Sequence, residues 1–143
     1  MRMRAALAAG GVLVAGVVGS LATAAPAQAD MSDICGGRFG NEFCVYYNSY
    51  QKGGAAGATS AVANWDNFGG TGYPLNFADW GLGTAGVGQH VKNNAASYAN
   101  SAWSKTGASY FNSNYSGAYD LAAPQTKGQL VNTYNENASF RWR

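Results

Sequence analysis

Few residues of the sequence have the chemistry that catalysis needs, and they form no known catalytic pattern. His90 is the sole histidine among 143 residues, and the G-x-S-x-G nucleophile motif that would support a Ser-His-Asp triad is missing. There is also no P-loop and no dinucleotide-binding fingerprint. No spacing favours a carboxylate pair of the kind that glycosidases use. The acidic residues available for such a pair are Glu42, Asp66, Asp79, Asp120 and Glu136. We therefore predict that the protein is not an enzyme.

The first 29 residues predict a secretory signal peptide. Residues 1–4 are basic, residues 5–25 are rich in Ala, Val, Leu and Gly, and residues 27–29 read A-x-A, which indicates cleavage near Ala29. Residues 30–143 would then form one secreted domain. The leader holds two of the nine Lys and Arg and none of the seven Asp and Glu, so the remainder is neutral. This balance predicts neither nucleic acid nor a membrane as a partner after cleavage.

Cysteine content agrees with export. Cys35 and Cys44 are the only two cysteines, and an even count in an oxidising compartment favours one disulfide. A thiol-redox site would show C-x-x-C, and a zinc site needs more ligands than two Cys and one His. We therefore predict a structural bridge between Cys35 and Cys44.

Composition favours an all-β domain with an aromatic core. All nineteen Phe, Trp and Tyr residues lie after residue 29, where Leu, Ile and Val together number only ten. Buried aromatic rings can replace aliphatic side chains in a small core. The many Gly and Asn residues supply turns and left-handed positions.

Two segments begin with the same aromatic-x6-Gly unit, Tyr46 to Gly53 and Tyr110 to Gly117. Such a unit suits a strand that folds into a tight hairpin, with Gly at a backbone angle that other residues resist. Farther on, residues 88–91 (GQHV) align with 128–131 (GQLV). The domain is therefore predicted to contain two copies of one supersecondary unit.

The copies span about residues 43–102 and about 107–142, and residues 93–98 match 135–140. Strands are predicted at 43–47, 109–111, 129–131 and 138–142, and a short helix at 61–65. The first copy is longer, and its extra residues are expected within 57–87. We predict that this insert contacts a protein or sugar partner through aromatic side chains, although these rings would equally well pack over one sheet. Its aromatic residues are Trp65, Phe68, Tyr73, Phe77 and Trp80.

These features resemble the βγ-crystallin superfamily and, more narrowly, peptidase inhibitor family I36 of small secreted actinobacterial proteins. The residues that carry the resemblance are Cys35, Cys44, Tyr46, Gly53, 93–97, Asn112, Tyr115, Ser116, Gly117, Ala138 and Ser139. The resemblance implies a β-sandwich of two Greek-key units with a long insert in the first. It also implies a binding protein that blocks an extracellular metallopeptidase by steric occlusion. Inhibitors of this family are described with a second disulfide that fixes a reactive loop, and this sequence has no cysteine after Cys44.

Superfamily members that bind calcium use an Asn/Asp-Asn/Asp-x-x-Ser/Thr-Ser stretch in each unit. By this resemblance the candidate ligands are Asn93, Asn94, Ser97, Asn135, Glu136 and Ser139. Only Glu136 is anionic, so any calcium site would be weak, and no cofactor is required. Alternatively, Ser97 and Ser139 hydrogen-bond the folded hairpins. A calcium-stabilised structural or stress protein and a glycan-binding or toxin-like exported module therefore stay open beside the inhibitor hypothesis.

Overall fold

A computed structural model describes Cys35 and residues 40–143, and the predicted signal peptide lies outside the described residues. The strands are β1 (Phe43–Asn48), β2 (Lys52–Ala58), β3 (Ser97–Asn100), β4 (Gly107–Asn112), β5 (Ser116–Ala122), β6 (Thr126–Gln129) and β7 (Ser139–Trp142). Two short 3-10 segments cover Ser49–Gln51 and Trp65–Gly70. Within the described residues, no helix has the length and apolar character needed to cross a membrane.

The seven strands form two antiparallel sheets. Sheet A has four strands in the order β2-β1-β3-β6, and sheet B has three in the order β5-β4-β7. Strand β6 leaves its own unit and pairs with β3 of the first, with Gln129 opposite Ser97. In return, Val62 of the first unit pairs with Phe140 on β7. The predicted all-β sandwich of Greek-key type is confirmed.

Both aromatic-x6-Gly units form folded hairpins, as the sequence predicted. The register shifts between Tyr46 and Asn48 in β1 and between Tyr110 and Asn112 in β4. Gly53 has φ +79° and Gly117 has φ +80°, which are angles that favour glycine. The two units therefore bend in the same way at the same place, and the hairpin motif is a true structural repeat.

The main core lies between the sheets and is largely aromatic. The rings of Phe43 and Phe140 stack at 4.2 Å between centroids, and Trp142 packs edge-on against Phe140 at 5.0 Å. A second cluster covers the outer face of sheet A, where the predicted disulfide joins Cys35 and Cys44 with a Cα–Cα distance of 5.5 Å. The disulfide is therefore part of a packed cluster.

Two sequence predictions are wrong for the same reason. The helix predicted at 61–65 does not form, because Val62 instead exchanges backbone hydrogen bonds of 2.7 and 2.9 Å with Phe140. Val62 pairs with Phe140 of the second unit, just as Gly128 pairs with Tyr98 of the first unit. In the first unit, the structural equivalent of β6 is therefore the single bridge at Val62. The alignment of 88–91 with 128–131 is accordingly incorrect.

The burial of the aligned side chains also contradicts the alignment of 88–91 with 128–131. Val91 is fully buried, whereas its supposed counterpart Val131 is 75% exposed; His90 is exposed, whereas Leu130 is buried. The predicted strand at 129–131 ends at Gln129, because the backbone N–H of Val131 turns to the carboxylate of Asp120 at 3.1 Å. The extra residues of the first unit lie between Val62 and Ser97.

The insert runs along the outer edge of β2. The N–H groups of Gly53 and Gly54 donate to the carbonyls of Leu82 (2.9 Å) and Ala85 (2.8 Å). Ala55 exchanges two bonds of 2.9 Å with Ala78 as in an antiparallel strand. An open edge strand is a site of unwanted pairing, and here the chain covers it with its own insert.

Candidate functional site

Most of the insert's aromatic rings hold it against the domain. Trp65 is fully buried in the main core and stacks between Phe68 (6.3 Å) and Phe140 (6.4 Å). Phe77 is 2% exposed and lies edge-on to Tyr47 at 5.8 Å. These contacts make the insert a core element of the first unit.

The other two predicted contact residues differ from each other. Trp80 is half-buried against the cluster around the disulfide. Tyr73 is 75% exposed and is the one ring of the five that projects into solvent. Four of the five rings therefore pack against the domain, and Tyr73 is the one of the five that is free to contact a partner.

A different part of the insert is accessible. Residues 81–90, named here the edge loop, are all exposed except half-buried Gly86. Leu82 and Val87 are each 41% exposed and give this loop its apolar contact area. Sequence reasoning missed these residues because it searched for aromatic anchors; the Gly-rich repeat around two aliphatic side chains was the available signal.

The edge loop is held in place by backbone contacts. Besides the bonds from Gly53 and Gly54, its own turns are closed by Val87 N–H to Thr84 O (3.2 Å) and Gln89 N–H to Gly86 O (2.9 Å). Gly86 has φ +78°, and its Cα lies against the ring of Tyr47 with no room for a Cβ. These ties constrain the loop without a second disulfide.

One small charged cluster joins the 3-10 segment to the end of the edge loop. Asp66 lies 3.3 Å from His90 Nδ1 and 3.4 Å from Lys92 Nζ, and Asp66 and His90 are partly exposed. In the described part of the chain, no hydrogen bond joins His90 to a serine. The arrangement suits an ion pair that closes the insert.

The two candidate serine ligands already have partners. The Ser97 hydroxyl donates to Asn48 O (2.7 Å) and accepts from Gln51 N–H (3.0 Å). The Ser139 hydroxyl does the same with Asn112 O (2.7 Å) and Tyr115 N–H (3.0 Å). Both serines are fully buried and fasten the folded hairpins. A metal at either hydroxyl would have to replace these bonds.

The remaining candidate ligands lie in two loops that bond each other. Asn93 N–H donates to Asn137 O (2.9 Å), and Asn135 N–H donates to Ala95 O (2.8 Å). The side-chain oxygen of buried Asn137 also accepts from Ala95 N–H at 3.0 Å. Sequence analysis missed Asn137, because the first copy has Ala95 at the matching position and the repeat therefore gave no signal there. Asn94 instead donates to the carbonyls of His90 and Lys92 within its own loop.

A cleft of about 240 Å³ opens beside these loops. Its lining includes Asn93, Asn112, Glu136 and Lys92. Glu136 supplies the one carboxylate, and the nearby Lys92 ammonium opposes a cation, although it is paired with Asp66. The cleft combines few anionic ligands with a competing positive charge, which is unfavourable for tight calcium binding.

Tyr46 lies beneath the disulfide and is almost fully buried. Removal from water raises the pKa of its phenol to about 12; a hydrogen bond with the Cys35 backbone acts in the opposite direction, and the charge of Glu42 adds to the rise. Cys35, Glu42 and Cys44 bring their ligand atoms within 4.8 Å of one another. Both sulfur atoms are bonded in the disulfide, so they offer no thiolate to a metal.

Comparison with solved structures finds βγ-crystallin domains. A βγ-crystallin from an archaeon is 20% identical, with 71% of this chain and 96% of that chain covered and a TM-score of 0.46. A βγ-crystallin from Ciona intestinalis is 11% identical, with coverage of 71% and 99% and a TM-score of 0.49. A domain from Flavobacterium johnsoniae is 16% identical, with coverage of 71% and 92% and a TM-score of 0.46.

No family model and no curated protein matches the sequence. All three structural likenesses have TM-scores below 0.5.

Proposed function

We propose that the protein is an exported, non-catalytic binding protein that docks on a target protein through the edge loop. By its resemblance to family I36, the target is an extracellular metallopeptidase, blocked by steric occlusion. The observation that carries the proposal is a loop that is exposed along its length and yet tied to β2 by backbone hydrogen bonds.

A loop of this kind suits inhibition for a thermodynamic reason. Binding costs free energy when it orders a mobile segment, and a loop already held in one shape avoids much of that cost. The bonds from Gly53 and Gly54 to Leu82 and Ala85 supply this constraint where the family uses a second disulfide. Leu82 and Val87 offer apolar side chains at the surface of the loop, and flanking glycines let a partner approach the backbone.

The cluster at Asp66 favours a binding role over catalysis. Asp66 is shared between His90 and Lys92, and among the described residues the His90 side chain has no hydrogen bond to a serine or cysteine. An imidazole in a triad would instead connect a carboxylate to a serine or cysteine. Occlusion by the edge loop needs no such group.

The test is inhibition of a thermolysin-like metallopeptidase by purified, disulfide-intact residues 30–143, with a serine protease as the control. We expect saturable inhibition of the metallopeptidase alone. Absence of inhibition at micromolar excess, with circular dichroism showing a folded domain, would overturn the inhibitor proposal and leave the fold unaffected.

The second candidate is a crystallin-type structural protein stabilised by calcium. It is favoured by the juxtaposition of Asn93 and Glu136 in one cleft beside the cross-bonded loops. On this proposal, millimolar calcium raises the melting temperature and Glu136→Gln removes that rise. An unchanged melting curve in calcium would exclude this function.

A further inference from the structure

The two sheets have equivalent outer strands, but only one is covered. In sheet A, residues 53–55 of β2 donate three backbone hydrogen bonds to the insert. The matching residues of β5 are 117–119, since Tyr119 pairs with Tyr110 as Ala55 pairs with Tyr46. Among the described residues, the N–H groups of 117–119 make no bond to any segment outside their sheet. Strand β5 therefore presents donors at the place where β2 meets an extended segment.

Strand β5 also has little of the usual protection of an edge. Natural edge strands carry Lys, Pro or an inward charge that prevents pairing. The one charged residue of β5, Asp120, has its carboxylate occupied by backbone N–H groups of 131–133 at 2.8 to 3.1 Å. Tyr119 and Leu121 are 41% and 51% exposed. A single side chain caps this edge, because the Asn132 amide donates to Tyr119 O at 2.9 Å.

Two arginines lie on the same outer face. The Arg141 guanidinium lies 5.4 Å from the ring centres of both Tyr110 and Tyr115, and its Nε donates to the Tyr110 hydroxyl at 3.0 Å. The Arg143 guanidinium lies 5.0 Å from the Tyr119 ring centre. Within residues 40–143, neither arginine forms an ion pair with a side-chain carboxylate. The rings hold both cations beside β5, where they remain available to an incoming carboxylate.

We propose that β5 takes up an extended peptide segment bearing acidic side chains, which adds to sheet B as an extra strand. The N–H groups on the outer edge of β5 would supply the backbone bonds, Tyr119 and Leu121 the apolar contacts, and Arg141 and Arg143 the charge complement. Strand addition of this type derives affinity from backbone hydrogen bonds and specificity from alternate side chains. A second copy of the chain is a poorer occupant, because pairing β5 with itself would bring the arginines of both copies to one face.

The incoming strand must displace the Asn132 amide from Tyr119 O. This requirement predicts that a truncation increases affinity. Asn132→Ala removes the competing donor and should tighten binding about threefold, because the peptide no longer has to break a weak, exposed hydrogen bond. Arg143→Gln should weaken binding about threefold, because an ion pair with this fully exposed guanidinium is screened by water.

The test uses a capped seven-residue peptide that alternates Val and Glu, with the matching Val-Lys peptide as its control. Affinity is measured by fluorescence anisotropy on residues 30–143, and backbone amide shifts by NMR locate the site. We expect the acidic peptide alone to bind, with shifts in 116–122. Leu121→Glu should abolish binding by repulsion, whereas Leu82→Glu, in the edge loop, should not change it.

Equal affinity for the two peptides, shifts confined to the edge loop, or weaker binding by a folded Asn132→Ala variant would each overturn the proposal. A concentration-dependent dimer that Leu121→Glu dissociates would overturn it in favour of self-association. Because the readout is peptide binding at β5, its failure is separate from a failure of metallopeptidase inhibition.

Discussion

Val62 and Phe140 exchange two backbone hydrogen bonds, 2.7 and 2.9 Å long, across the boundary between the two units. Val62 thereby completes sheet B for the second unit, as β6 completes sheet A for the first. This exchange makes the stability of each unit depend on the other.

Val62→Pro should test that dependence. Proline removes the N–H that donates to Phe140 O, so the variant should lose about 2 kcal/mol beyond the loss in Val62→Ala, which removes side-chain packing alone. Urea unfolding followed by Trp fluorescence measures both. Equal stability of the two variants would mean that the bridge contributes nothing.

Ser97→Ala and Ser139→Ala should each destabilise the domain by about 2 kcal/mol. Each substitution leaves a backbone carbonyl and a backbone N–H of a hairpin without their partner. Because these bonds involve no metal, the loss should be the same in calcium and in a chelator. Ser116→Ala, at an exposed serine that bonds only Ser113 O, is the control and should change stability little. A loss seen only in calcium would instead assign the hydroxyls to a metal site.

Gly86 and Gly88 provide a matched pair for the edge loop. Both have positive φ, +78° and +84°, but a Cβ at Gly86 would collide with the Tyr47 ring, whereas a Cβ at Gly88 meets nothing within 4 Å. Gly88→Ala should cost about 1 kcal/mol from backbone strain, and Gly86→Ala should cost clearly more. Thermal unfolding measures the difference. If the two variants melt together, the loop does not pack on Tyr47.

Alkaline pH should destabilise the domain through Tyr46. Its pKa is raised by burial to about 12, so the folded state favours the neutral phenol. The resulting stability, about 2–3 kcal/mol, is fully present below about pH 10 and is lost as pH rises through about 12. Tyr46→Phe should therefore lose less stability between pH 10 and 12 than the parent protein. Tyr50→Phe, which removes a 75% exposed phenol, should keep the parent's alkaline fall.

The parts of the fold that the sequence predicted correctly are set by local chemistry. A glycine at a positive φ and an aromatic residue seven positions earlier identify each hairpin, and the even count of two cysteines identifies the disulfide. The residue type at Val62 carries no comparable signal, because a single bridge has no periodicity.

The insert shows the limit of such reasoning most clearly. Trp65 and Tyr73 have the same aromatic character in the sequence, yet one is fully buried and the other is 75% exposed. Trp65 is buried because its backbone N–H donates to Ala138 O at 3.1 Å and its ring stacks on Phe140, whereas Tyr73 lies in a surface turn where its carbonyl accepts from Phe68 N–H at 3.0 Å. The contacts of Trp65 are set by packing far apart in sequence, so composition alone points to the right segment and the wrong side chains.

The most direct test of the docking function compares Leu82→Glu in the edge loop with Leu121→Glu on β5, at two leucines that are 41% and 51% exposed. The inhibition constant toward the thermolysin-like metallopeptidase is measured for both variants and for the parent protein. A charge on the edge loop should raise that constant by at least about tenfold, whereas the same charge on β5 should leave it unchanged. Undiminished inhibition by Leu82→Glu, or an equal loss in the two variants, would contradict the proposed role of the edge loop.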